Sequence, residues 1–460
     1  MNIKGEFMIK RELIHKYDVA APRYTSYPTV PLWDVDGFSE SEWQTRVLSQ
    51  FRAHGSRGLS IYIHLPFCES LCTYCGCNVR ITKNHEVEHP YIMALLKEWE
   101  LYKKVLSQAG KPIRIEEIHL GGGTPTFFSV ENLIGLIRGI TAGVIVDQNV
   151  RFSFEGHPAN TTVKHLQGLY NVGFRRLSLG IQDFDIQVQK VINRRQTVEE
   201  VARLMFEARR IGYESINFDL IYGLPLQTSS SVERTVESVL ELEPDRISFY
   251  SYAHVPWIKP GQRHYTELDL PTGQNKQNLY LLGKKMIECA GYSHIGMDHF
   301  AKPADSLCTA EKQGTLHRNF MGYTDRFTPL LIGLGVSSIS DSVTAFAQNV
   351  KNVEDYYALL NSDNFPVFKG HLLDQQDQQI RQYVLDIMCR GRMQWGRHDG
   401  QREQVRSRLA PLITDGLVRE SENGIQVTNS GRSFLRNICM AFDVRLHRSS
   451  PQRDLFSQAI

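Results

Sequence analysis

The chain has few cysteines, no apolar run long enough to cross a membrane and no surplus of either charge. Eight cysteines in 460 residues are too few to staple a chain of this size, which excludes a secreted disulfide scaffold and points to a reducing cytoplasm. No stretch of about 18 uncharged apolar residues occurs. The first residues, MNIKGEFMIKRELIHKY, are charged and amphipathic without a continuous apolar core, so neither a secreted nor a membrane-spanning protein is expected. The 52 Lys and Arg balance 50 Asp and Glu, leaving a formal charge of +2. With no basic tail or charge block, neither nucleic acid nor an anionic membrane is announced as a partner.

From about residue 59 to 253 the sequence alternates short strand patterns with amphipathic helices, the signature of a parallel sheet. The strand patterns are LSIYIHL (59–65), IEEIHL (115–120), VRFSFEG (150–156), RRLSLGIQ (175–182), SINFDLIYG (215–223) and DRISFYSYA (245–253). Between them, Leu95, Leu96, Trp99, Tyr102 and Leu106 form one helical stripe, and Val201, Leu204, Met205 and Ala208 another. Six units fit an open partial (β/α)6 barrel, a relative of the eightfold TIM barrel, although the pattern alone leaves a doubly wound sheet open.

The length suggests two or three domains: an arm over 1–50, a barrel over 51–350 and a smaller unit over 351–460. Beyond 254 the rhythm stops at the loop VPWIKPGQR, followed by a helix over 274–290 and a mixed segment to about 345. After 374, two helices, a short hairpin and a last helix predict a small, mostly helical, winged-helix-like unit. No dense Lys/Arg face accompanies it, which favours a packing and substrate-covering module over a DNA binder.

Half of the cysteines crowd into FCESLCTYCGCN, directly after the first strand pattern; barrel enzymes keep their chemistry at that end of the strands. Zinc would call for a second ligand pair, which the sequence lacks, so a single-knuckle zinc site is the plain alternative. Thiolates suit an iron–sulfur cluster. Cys68, Cys72 and Cys75, at spacings of four and three, can wrap three corners of a cube and leave one iron open, whereas Cys77 points the other way if the local chain is extended. The isolated Cys289, Cys308, Cys389 and Cys439 read as small hydrophobes.

The C-x-x-x-C-x-x-C pattern after an aromatic-containing strand resembles the radical S-adenosylmethionine superfamily. RYTSYPT (23–29), GGGTPT (121–126), LGIQDF (179–184), NFDLIYGLP (217–225), YAHVP (252–256), GMDHFA (296–301), HRNFMGYT (317–324) and NICMAFD (437–443) narrow the resemblance to its oxygen-independent coproporphyrinogen-oxidising family, over essentially the whole chain. The resemblance implies one 4Fe-4S cluster on Cys68, Cys72 and Cys75, with Cys77 catalytic but not an iron ligand. It implies two bound S-adenosylmethionine molecules and, as substrate, coproporphyrinogen III, two of whose four propionates become vinyl groups. A one-electron donor such as flavodoxin or ferredoxin, a cytoplasmic location and a monomeric state are further implications.

By the same resemblance Tyr62 contacts the methionine part of the nucleoside, while strand periodicity alone also allows a core-facing tyrosine. Gly122, Gly123 and Thr124 follow the second strand and, by resemblance, bind the nucleoside; a glycine run by itself says little. Glu155, Gln182 and Asp219 each lie near the end of a different strand, and their coincidence at one mouth favours a ligand site. The resemblance adds Tyr74, Arg194, Ala253 and Ile339 to the nucleoside contacts. Here Glu155-Gly156-His157-Pro158 departs from the family's commoner form, which has an acidic residue before the proline. Arg23, His64 and Arg318 are candidate partners for the propionates, though an isolated Arg is more often solvated.

Related alternatives are a heme chaperone and a radical heme methyltransferase of the same branch; both are disfavoured by the RYTSYPT arm, and the chaperone also by Cys77. From another class, a zinc-stabilised interaction protein remains. Metal analysis separates them: about four irons and four sulfides per chain with broad visible absorption are expected, and one zinc in a colourless protein would remove the cluster.

Overall fold

A computed structural model describes residues 11–34, 36–396, 400–448 and 456–459. Six strands alternate with helices as the sequence predicts: β1 Leu59–Leu65, β2 Arg114–Gly122, β3 Ile145–Gly156, β4 Phe174–Gln182, β5 Ser215–Tyr222 and β6 Arg246–Ser251. They pair in parallel in that order, and β7, Leu331–Leu334, pairs in parallel with the free side of β1. Antiparallel strands extend both edges, giving a twelve-stranded sheet that is curved but not closed. The open barrel thus replaces the doubly wound alternative.

Alternation sets which side chains face outward. Ile61 and Ile63 of β1 align with Ile118 and Leu120 of β2 and are buried with Phe154, Leu179, Phe218 and Ile247 in one large core. The residues between them, Tyr62, His64, His119, Glu155, Ser178, Asp219 and Ser248, turn to the opposite side. Helices Glu88–Ser107, Val198–Ile211 and Gly273–Cys289 contribute Trp99, Leu204 and Ile287 to that core. Thr197 starts the second of these with a reciprocal cap to Glu200.

The sheet continues past the expected boundary at 350, because Ala345–Asn349 pairs antiparallel with Val367–Leu372. Beyond it, helices Gln375–Arg390 and Arg402–Thr414 precede the hairpin Val418–Ser421 with Gly424–Val427, and a three-stranded sheet forms with Arg392–Gln394. The amino-terminal arm is not a separate layer. Ile14, Tyr17, Tyr24 and Tyr27 share a second core with Ile387, Leu409, Phe434 and Phe442. Tyr24 donates to Asp443 (3.0 Å), and Arg436 donates to the Pro22 carbonyl (3.1 Å) and the Gln458 carbonyl (2.8 Å). Of the amphipathic start, residues 1–10 lie outside the described residues, and Arg11–Tyr17 is helical.

One buried carboxyl ties the helix Glu88–Ser107 to the chain that follows β7 on one side of this sheet. Glu98 accepts from the Gly335 amide (2.8 Å), Asn349 Nδ2 (2.7 Å) and Tyr356 OH (2.6 Å). Burial outweighs these donors and pushes its pKa up to about 7. A folded-state value above the unfolded one gives stability that is complete below the unfolded value and is lost as pH rises through the folded one. Relative to Glu98→Gln, the native protein should therefore lose thermal stability between about pH 4.5 and 7. Parallel pH series of melting temperatures check this; identical slopes for both proteins would refute it.

Candidate functional site

The loop after β1 carries the four clustered cysteines to the C-terminal mouth of the barrel, where Phe67–Cys68 pairs with Arg80–Ile81. Cys68, Cys72, Cys75 and Cys77 line one cavity of 590 Å³. Tyr74, Gly122, Gly123, Thr124, Glu155, Gln182, Arg194 and Asp219 line the same cavity, so twelve side chains and backbones singled out in the sequence converge there. A second cavity of 330 Å³ runs into the lumen past Glu117, Arg176, Asn217, Arg246 and Tyr250, and it shares Glu155, Gln182 and Asp219 with the first.

Burial pushes the Cys68 thiol up to about 11, partly offset by its 3.3 Å contact with Thr124 Oγ1. A hydrogen bond from the Cys77 thiol pulls Cys75 down to about 6. That bond corrects one expectation. Residues two apart on an extended stretch share a face, so Cys77 does not point away but lies against Cys75, facing the open cavity. Among the described residues no three His, Cys, Asp or Glu converge tightly enough for a single metal ion. Three thiols spread around one cavity match instead the breadth and the sulfur preference of an iron–sulfur cluster.

Arg194 ties this loop to the barrel. Its Nη1 donates to Tyr74 OH (3.3 Å) and Cys72 Sγ (3.7 Å), its Nε to Gln196 (3.1 Å) and its Nη2 to the Gly180 carbonyl. A cation here offsets the negative charge that ionised thiolates bring. Gln182 ends β4 with φ +67° beside a register shift against β5, a bulge that re-aims its amide into the cavity.

The glycine run is set by close packing. A Cβ on Gly123 would lie 2.7 Å from the Pro66 backbone, and one on Gly122, whose φ is +113°, 2.7 Å from the His64 ring. The Gly122 amide donates to Glu155 Oε2 (3.3 Å). Glu155 also accepts from His119 Nε2 (3.3 Å), whose Nδ1 contacts Ser153 Oγ (2.7 Å). Asp219 accepts from Ser178 (2.7 Å) and Asn217 (2.9 Å), and burial raises it to about 6.

Tyr62 and His64 form a pair just behind this wall. The His64 Nε2 donates to the Asn78 carbonyl (2.8 Å), so Nδ1 accepts from Tyr62 OH (3.1 Å). Burial lowers the His64 pKa and keeps the ring neutral. Tyr62 stacks on His119 with centroids 5.9 Å apart and lines neither cavity. His119, which lines the second cavity and holds Glu155, is a candidate that the sequence reading does not single out; its signal is position, one step past Ile118 on the strand that ends in the glycine run.

Ala253 and Ile339 also line neither cavity. The Ala253 carbonyl accepts from Gln262, which also donates to the Tyr74 carbonyl (both 3.2 Å). Ile339 packs by Trp33 and Phe346. His157 lines the larger cavity, with Nδ1 accepting from the Ala159 amide (3.1 Å) and its pKa lowered by burial to about 3, a neutral turn residue. Of the propionate candidates, Arg23 is paired with Asp298 (3.0 Å). Arg318 is buried over the Tyr323 ring (4.6 Å), with Nε and Nη1 unpartnered, and lies outside both cavities.

Comparison with known proteins gives the class first: the model of the radical SAM superfamily matches residues 62–239, the span from Tyr62 past Asp219. Whole-chain relatives are narrower. The oxygen-independent coproporphyrinogen III oxidase of Escherichia coli (strain K12) is 39% identical over 97% of this chain and 98% of its own length. That of Pseudomonas aeruginosa is 38% identical over 98% of each. The solved structure of coproporphyrinogen III oxidase (HemN) from Escherichia coli superposes with a TM-score of 0.86 at 35% identity, covering 94% of this chain and 98% of that one. The chain belongs to the oxygen-independent coproporphyrinogen III oxidase family.

Replacing Cys68, Cys72 or Cys75 by alanine should each abolish cluster assembly, whereas Cys77→Ala keeps its iron but loses activity. Iron and sulfide content of the four reconstituted variants checks this, and equal iron loss in all four would overturn the three-plus-one division.

Proposed function

We propose that this chain converts coproporphyrinogen III to protoporphyrinogen IX without oxygen, by oxidative decarboxylation of two propionates to vinyl groups. The observation that carries the reading is the convergence of three thiols, a close-packed glycine run and the Glu155 and Asp219 carboxyls on one cavity, in a chain similar over its whole length to oxidases of that name. A 4Fe-4S cluster with S-adenosylmethionine, bound here, would supply one-electron radical chemistry for hydrogen abstraction.

The protein's own residues do the rest. Cys68, Cys72 and Cys75 would hold the cluster. Thr124 and the backbone at Gly122 and Gly123 allow close approach of a small polar ligand, and Glu155, fixed by His119 and the Gly122 amide, accepts from an ammonium or hydroxyl group of that ligand. The neutral Tyr62–His64 pair backs this wall with no mobile charge. The adjoining 330 Å³ cavity, lined by polar strand residues and by Tyr250 and Tyr323, is the place for a pyrrole ring and its side chain. Its walls keep water from a reactive carbon centre.

This reading includes an external one-electron donor of the flavodoxin or ferredoxin kind, a second S-adenosylmethionine beside Gln182, Arg194 and Asp219, and a cytoplasmic monomer, supported by the family resemblance. No helix among the described residues is long and apolar enough to cross a membrane. A three-part organisation, of arm, barrel and carboxy-terminal unit, completes it.

Anaerobic incubation of the reconstituted protein with S-adenosylmethionine, a reductant and coproporphyrinogen III should give 5'-deoxyadenosine and protoporphyrinogen IX. Glu155→Gln should reduce that turnover by about 10²-fold or more while keeping the iron. Heme retention without turnover of coproporphyrinogen III would favour the chaperone alternative instead.

A further inference from the structure

The cluster loop lies under a surface unlike the rest of the barrel mouth. Leu71, between Cys68 and Cys72, is 36% exposed, and on the loop after β6 Trp257 and Ile258 are 50% and 55% exposed. The two segments are in contact. A Cβ on Gly261 would lie 3.1 Å from Leu71 Cδ2, Lys259 Nζ donates to the Cys77 carbonyl (2.9 Å) and Gln262 donates to the Tyr74 carbonyl (3.2 Å). A third segment closes the frame: Asn193 donates to the Leu71 carbonyl (2.7 Å) and Thr73 to the Val191 carbonyl (3.0 Å).

Charge around these segments is mostly positive. Residues 79–83, 190–195 and 255–263 carry seven Lys and Arg and no carboxylate; Lys83, Lys190, Arg195 and Arg263 are exposed, Arg194 is buried, Arg80 pairs with Glu354, and the cluster loop carries the exposed Glu69. A small apolar centre with a basic surround is the mark of a recognition surface and not of a solvated face.

We infer that this surface is the docking site of a small acidic carrier that presents a flavin edge. The inference rests on the proposed function, because reductive cleavage consumes one electron that no residue of this chain can supply. One electron leaves the carrier's reduced flavin and one arrives on the oxidised cluster; no bond forms or breaks in either protein. Leu71 adjoins Cys72 in the chain, so a partner seated on it lies one residue away from a thiol of the cluster loop. The flat indole of Trp257 and the aliphatic Leu71 and Ile258 suit the methyl-bearing apolar edge of a flavin, and an acidic rim on the carrier would meet the basic surround. Such pairs use small, weakly held interfaces steered by charge.

The test uses the reconstituted holoenzyme titrated with flavodoxin, followed by calorimetry, and anaerobic bleaching of the cluster by reduced flavodoxin. The double variant Lys190→Glu with Ile258→Glu, and Trp257→Ala separately, should each weaken flavodoxin binding at least tenfold, and the double variant should flatten its dependence on salt. Dithionite-driven turnover should stay within twofold of the parent. Binding unchanged within twofold, tighter binding of a ferredoxin than of flavodoxin, or an equal loss under dithionite would each overturn the assignment. Binding and bleaching need no porphyrinogen, so a protein that takes electrons from flavodoxin yet forms no protoporphyrinogen keeps this surface and loses the substrate reading.

Discussion

Everything at the barrel mouth depends on a parallel sheet whose inner face is polar. Parallel strands covered on both faces ordinarily read as continuous apolar runs; here each of the six strands alternates, with Ile, Leu and Phe outward and His, Glu, Ser, Asn, Asp or Arg inward. Such a face could not be buried against another apolar layer without stranding its polar groups. The fold satisfies them with one another, as in the Ser178, Asn217, Asp219 and Ser248 chain, and leaves space where ligands complete the network. The two cavities are therefore a direct result of strand alternation in an unclosed sheet.

On that frame the cluster loop needs its own fastening. A loop of this length carries few apolar side chains into a core, and polar clamps take their place. Arg194, braced on the Gly180 carbonyl of β4, and Asn193 hold it from the residues just after the short helix Ile186–Val191, whose Val191 carbonyl accepts from Thr73, and Gln262 and Lys259 hold it from the loop after β6. Because three segments converge, a shift of the loop after β6 would be felt at the thiols.

Much of this was legible in the sequence, for identifiable reasons. The strands were readable because alternation is a local signal, and the cysteine loop because its spacing is local too. Convergence of Glu155, Gln182 and Asp219 followed from their shared position at strand ends. What escaped depended on tertiary or fine local geometry. His119 acts through a stack on Tyr62 and a bond to Glu155, contacts made across strands. The direction of Cys77 shows in its hydrogen bond with Cys75, a contact that spacing alone does not reveal. Arg318, an ordinary surface arginine by composition, is buried behind Tyr323.

The union of the arm with the carboxy-terminal unit was invisible for the same reason, since contacts such as Tyr24 with Asp443 span more than 400 positions. It also orders events during synthesis. The barrel strands and the cysteine loop emerge and can pack long before Phe434 and Phe442 are made, while Tyr17, Tyr24 and Tyr27 must wait for those late residues to find their neighbours. A ribosome-bound chain would thus hold a formed barrel with an undocked arm, and the last step of maturation would be the meeting of the earliest and latest segments translated.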